Sequence, residues 1–151
     1  MVAIRRALPE EAERLTQITL AAKRHWNYPE SWIQQWLPQF AFSPQYIMEH
    51  EVWVMTENDM PIAFYSLNQN ADEWWLENMW VLPEYIGQGV GGQLFSHALE
   101  RCRERGGSVL KIESDPNAQG FYEKMGAQRV DEHKYELDGQ LRVLPIMAIN
   151  F

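Results

Sequence analysis

Val81-Leu82-Pro83-Glu84-Tyr85-Ile86-Gly87-Gln88-Gly89-Val90-Gly91-Gly92-Gln93-Leu94 is the stretch whose reading decides the fold. Glu73 to Leu82 reads as a strand running into it. A helix from about Gly91 to Arg105 leaves it, with Leu94, Phe95, Ala98, Leu99 and Cys102 as its apolar stripe. Closely spaced glycines before a helix leave backbone N–H groups bare. Those donors, with the positive helix end, suit a pyrophosphate. The loop has no lysine and needs none. A plain tight turn into the helix is the structural alternative.

A dinucleotide fingerprint is a third reading, since Gly87, Gly89 and Gly92 fit its spacing and Glu113 follows at a suitable distance. It fails on context. Pro83-Glu84-Tyr85-Ile86 separates the strand from the first glycine, and the strand carries Glu77 and Asn78 instead of being apolar throughout. Residues 93–151 are too few for the remaining parallel strands of that fold.

Outward from the loop, the pattern alternates between helical and strand periods. Val2 to Leu8 reads as a strand, and Pro9-Glu10-Glu11 opens a helix to about Lys23. Pro29-Glu30 opens a second helix with Trp32, Ile33, Trp36 and Leu37 on one face, and Ser43-Pro44 starts a short turn. Val52–Glu57, Pro61–Gln69 and Glu73–Leu82 form an antiparallel meander across Asn58-Asp59 and Asn70-Ala71-Asp72. After the helix, Gly106-Gly107 is a stop and Ser108–Glu113 a strand. That strand–helix–strand step implies a parallel pair. Asn117–Met125 reads as a short helix. Ala127–Leu137 and Gln140–Asn150 form a hairpin across Asp138-Gly139. The expectation is one α+β domain, 1–151, layered α/β/α. Its sheet is seven-stranded, mixed and mostly antiparallel, with a central parallel pair and about four helices.

Composition narrows the function. A chain of 151 residues matches one domain at about 150 residues each. The net charge of −8 argues against nucleic acid, which needs a basic face. The single cysteine, Cys102, excludes an internal disulfide and a cysteine zinc cluster. No apolar run has membrane-spanning length, and the first residues lack a signal-peptide core. A soluble, cytoplasmic protein without a metal is expected. Seven Trp, six Tyr and six Phe point to a pocket as well as a core.

The loop from Val81 to Leu94, followed by Asn117-Ala118-Gln119-Gly120-Phe121-Tyr122-Glu123-Lys124-Met125-Gly126-Ala127, resembles the GNAT superfamily of acetyl-CoA-dependent N-acetyltransferases. The first stretch is similar to its pyrophosphate loop and the second to its late Asn…Phe-Tyr-Glu-Lys-x-Gly helix. One position departs: Ile86 stands where the family usually has Arg or Gln. The resemblance implies acetyl-CoA as cosubstrate, held by Gly87, Gln88, Gly89, Val90, Gly91 and Gly92. It also implies an oxyanion-binding N–H at Val81 or a near neighbour, a pantetheine contact at Asn117, and Tyr122 beside the thioester sulfur.

Acetyl transfer to an amine needs a deprotonated amine, an oxyanion donor, a proton for the thiolate and aligned substrates. Tyr122 is the expected acid, with orientation of CoA as its alternative role. Asn117 would alternatively cap its helix. Glu113 or Glu77 is the expected base; an exposed carboxylate, or a salt bridge to Lys111, is the other reading. His25 is a third base option. In the family the region between the first two helices covers the acceptor. This places His25, Trp26 and Tyr28 at the acceptor site, with Trp32, Trp74 and Trp75 extending an aromatic wall suited to a flat or cationic ligand. The expected acceptor is a small-molecule primary amine, attacked directly in a ternary complex. A protein N-terminus or lysine is an alternative acceptor. A non-catalytic acyl-CoA-binding module is kept open by Ile86, and a ligand-free structural α+β protein is a third reading. A homodimer is left open.

Overall fold

A computed structural model describes residues 2–71 and 73–151. Met1, and Asp72 of the expected turn 70–72, lie outside the described residues. The strands are β1 (Val2–Arg6), β2 (Glu51–Glu57), β3 (Met60–Asn70), β4 (Glu73–Val81), β5 (Val109–Glu113), β6 (Gln128–Leu137) and β7 (Gln140–Asn150). They form one sheet in the order β1-β2-β3-β4-β5-β7-β6. The parallel pair is β4 with β5, in register from Trp74↔Leu110 to Leu76↔Ile112. The β1–β2, β2–β3, β5–β7 and β6–β7 pairs are antiparallel.

The described helices are α1 (Ala12–His25), α2 (Glu30–Phe40), α3 (Pro44–Glu49), α4 (Val90–Glu104) and α5 (Gln119–Lys124). This is one more than the sequence expectation. The turn at Ser43-Pro44 completes a helix because Ser43 Oγ accepts the Tyr46 N–H at 3.1 Å, satisfying an end donor. The expected helix 117–125 is also shorter. Asp115, not Asn117, does the capping: its Oδ1 accepts the Asn117 N–H at 2.8 Å over a 3₁₀ turn at Pro116–Ala118, and α5 follows.

The chain divides into two compact units. One runs to Leu67 and resumes over Asn78–Leu94; the other comprises Asn68–Glu77 and Phe95–Phe151. In the first, Ala12, Leu15 and Ile18 of α1 pack with Ile47, Val52, Val54 and Phe64, as the helical period predicts. Burying a Leu or Ile side chain is worth about 1.5–3 kcal/mol. In the second, Phe95 of α4 meets Phe121 and Tyr122 edge-on, and Leu110, Ile112 and Met147 are fully buried. Helix α4 ends as expected at Gly106-Gly107: the Gly107 N–H reaches Cys102 O at 2.8 Å and the Gly106 N–H reaches Arg103 O at 3.1 Å.

Candidate functional site

The first unit carries the end of β4 and the glycine loop. The Leu82 N–H donates to Ile62 O of β3 at 2.9 Å. Successive N–H groups of an extended chain alternate in direction, so the Val81 N–H points away from β3. A 3₁₀ turn at Pro83–Tyr85 then folds the chain toward the loop, with Tyr85 and Ile86 N–H groups bonding to Leu82 and Pro83 carbonyls. Gly87 and Gly89 have φ of +85° and +82°, which L side chains rarely adopt. No atom lies within 4 Å of where a Cβ would stand on either, so both backbones face open space. Helix α4 starts at Val90, and its first bond is Gln93 N–H to Gly89 O at 3.1 Å. The N–H groups of Val90, Gly91 and Gly92 precede that bond and have no carbonyl within the helix. Gln88 turns back, donating from Nε2 to Glu84 O at 3.0 Å. Ile86 is 44% exposed, so it leaves an apolar surface where a donor side chain would stand in the family pattern.

Tyr85 was not singled out by sequence. Its hydroxyl donates to Glu57 Oε1 at 3.0 Å, and that bond, burial and the Glu57 charge raise the phenol's pKa. No local signal announces this bond, because Glu57 lies on β2.

The second unit carries the acid–base candidates. Tyr122 of α5 is buried, with its ring edge-on to Phe95 and Phe121. Burial, with a smaller contribution from the Asp115 charge, pushes its pKa well up, so the phenol keeps its proton. Asn117 is exposed, and its Nδ2 donates to Asp115 Oδ1 at 2.9 Å. Glu113 ends β5 and is exposed, with His133 Nδ1 at 3.1 Å from its Oε1. The salt bridge considered between Glu113 and Lys111 does not form. Lys111 Nζ binds Glu73 Oε1 at 2.8 Å instead: Lys111 pairs in register with Trp75, and Glu73 lies two residues along β4 on the same face. That bond, followed by one from Trp75 Nε1 at 3.1 Å, lowers the Glu73 pKa. Glu77 is exposed and, one residue past the last β4–β5 register pair, lies outside the paired ladder.

The aromatic segment sorts into distinct sets. His25 meets Trp26 edge-on at 4.8 Å, and Trp26 is 37% exposed. Tyr28 stacks on Trp32 at 6.1 Å and meets Trp36 edge-on at 5.1 Å. Trp75 is half-buried beside Glu73, with Lys111 Nζ 5.7 Å from its ring. Trp74 does not extend an open wall. It is buried against Gly107, with the Arg105 guanidinium 5.5 Å from its ring. Sequence also passed over Trp80 on β4, the ring that packs with Lys23 of α1. Among the described residues no group of three or more His, Cys, Asp or Glu is placed to hold a metal ion. No described helix is long and apolar enough to cross a membrane.

The strand order with one parallel pair, and a positive-φ glycine loop between β4 and α4, define a class of protein. Residues 13–127 match the acetyltransferase (GNAT) family, and the chain belongs to it. Among its relatives, a ribosomal protein bS18 alanine N-acetyltransferase of Haemophilus influenzae is 33% identical over 82 residues, covering 53% of this chain and 56% of that protein. The peptidyl-lysine N-acetyltransferase YjaB of Salmonella typhimurium is 29% identical over 132 residues, covering 83% of each. The PaiA N-acetyltransferase of Thermoplasma acidophilum, solved with coenzyme A, shares the fold. Its TM-score is 0.82 at 18% identity, over 100% of this chain and 99% of that one.

Proposed function

We propose that this chain transfers an acetyl group from acetyl-CoA to the primary amine of a small molecule, with residues 1–151 working as one cytoplasmic acetyltransferase domain. The observation that carries the reading is the β4 edge: a Val81 N–H turned away from β3, followed directly by a loop of open-faced glycines. Coenzyme A in the Thermoplasma structure supports acetyl-CoA as the cosubstrate. The N–H groups of Gly87 to Gly92, including those of Gln88 and Val90, receive the pyrophosphate. Asn117 contacts the pantetheine arm.

The reaction needs no covalent enzyme intermediate. The neutral amine attacks the thioester carbonyl carbon, forming the C–N bond. The Val81 N–H steadies the oxyanion, and the C–S bond breaks as the carbonyl re-forms. Tyr122 gives its proton to the departing sulfur. Glu113 or Glu77 takes the ammonium proton, directly or through water. His25, Trp26, Tyr28 and Trp75 contact the acceptor. A protein acceptor is the second reading, favoured by the relatives that act on a ribosomal protein alanine and on peptidyl-lysine.

Calorimetric titration of acetyl-CoA into the protein and into Gly89→Val tests the site. Loss of binding in the variant, with retained folding, is expected; unchanged affinity overturns the loop assignment. Thiol release with a panel of small amines and lysine peptides then separates the two acceptor classes from a non-catalytic CoA-binding module.

A further inference from the structure

Lys23, on the last turn of α1, holds its ammonium inside a cage of rings. Nζ lies 4.4 Å from the centroid of Trp36, 4.7 Å from Trp80 and 5.4 Å from Phe40. Trp36 and Phe40 are buried, while Lys23 itself is half-buried. Trp80 immediately precedes Val81 on β4. Its indole Nε1 is buried and has no hydrogen-bond partner among the described residues. A buried donor without an acceptor is disfavoured unless a ligand or water supplies one.

An aromatic cage at an acceptor site ordinarily reads as a seat for a cationic ligand. Here the faces of Trp36, Phe40 and Trp80 already serve a resident cation. A second ammonium on those faces would have to displace Lys23. What the cage offers a newcomer is the reverse polarity: a positioned positive charge and an unfilled indole N–H on the ring that Lys23 covers. Those two donors match an anionic oxygen group. We infer that Lys23 of α1 and Trp80 of β4, the residue before Val81, form a carboxylate-recognition element. They select acceptors that carry a carboxylate as well as the reacting amine, and disfavour diamines and polyamines. This rests on the acetyltransferase reading and deepens it, because it names the class of acceptor.

The test compares matched acceptors that differ only in the carboxylate: L-phenylalanine with 2-phenylethylamine, and L-lysine with cadaverine. The expected result is a kcat/KM preference of about 10- to 100-fold for the carboxylate-bearing member, the size of one hydrogen bond to a charged group. In Lys23→Met, whose thioether suits an aromatic cage, the preference collapses through KM, with kcat on the decarboxylated amines unchanged. Lys23→Arg retains it. Equal or better use of cadaverine and 2-phenylethylamine by the unaltered protein overturns the inference and leaves the acetyltransferase reading intact. Absence of thiol release with every amine tested sinks that reading instead. The same four compounds titrated against tryptophan fluorescence then decide the inference alone. A Lys23-dependent carboxylate preference supports it, and its absence overturns it.

Discussion

Tyr85 donates its phenolic hydrogen to Glu57 Oε1 over 3.0 Å, tying the turn before the glycine loop to the end of β2. The bond joins residues 28 positions apart, so the sheet itself sets where the loop begins. Tyr85→Phe removes only the donor. Acetyl-CoA affinity is expected to fall by about two- to tenfold, the range of one solvent-accessible hydrogen bond. The melting temperature should barely move. Titration calorimetry and a thermal melt on the same sample check both halves, and unchanged affinity would show that the loop holds its shape without this tie.

Two glycines should respond oppositely to alanine. A Cβ on Gly107 would stand 2.7 Å from Trp74 Cδ1 and 3.0 Å from Cys102 O. Gly107→Ala is therefore expected to cost about 1–3 kcal/mol through overpacking. Gly120 lies in α5 with nothing within 4 Å of its Cβ position and no positive φ. Gly120→Ala should raise stability by about 0.4–1 kcal/mol, because alanine loses less backbone entropy on folding. Urea denaturation of both variants reads the sign directly.

Glu11 sets a pH dependence. Burial alone would raise its pKa. Hydrogen bonds from Arg5 at 2.8 and 2.9 Å, the Leu8 N–H and the Arg5 charge together hold it below its ordinary 4.5. A carboxylate lowered in the folded state adds stability above its unfolded pKa. That stability is lost as pH falls through the lowered value. Glu11→Gln keeps an acceptor and removes the charge. At pH 7 it should cost about 0.5–1 kcal/mol after solvent screening. The gap to the unaltered protein should close in the acid range below 4.5, as parallel melts would show.

Tyr122→Phe preserves the packing against Phe95 and Phe121 and deletes the proposed acid. Turnover should drop by about 10²–10⁴-fold with acetyl-CoA binding nearly intact. Burial raises this phenol's pKa, so Tyr122 contributes no falling limb to the rate profile up to its ordinary value of 10.0. Single-turnover rates are the measurement, because slow product release would mask a slower chemical step. An unchanged single-turnover rate would reduce Tyr122 to an orienting role.

The element order, the hairpin turns at Asn58-Asp59 and Asp138-Gly139, and the glycine loop were legible in the amino-acid sequence because their signals are local. Asn58-Asp59 and Asp138-Gly139 adopt the positive φ that such pairs tolerate, and the apolar stripe of α1 is buried where its period places it. The boundaries were less legible. Asn117 looked like a cap, but Asp115, two residues earlier, holds the turn with its own side chain. Side-chain partnership was beyond sequence altogether. Glu113 faces His133 while its near neighbour Lys111 takes Glu73. Lys23 finds rings from α2 and β4, and Tyr85 finds Glu57 on β2. Such pairs depend on strand register and on which faces the packed core turns together. Sequence spacing alone carries neither, so the local devices of this protein were set by its residues, and only the tertiary structure decided which charges and rings meet.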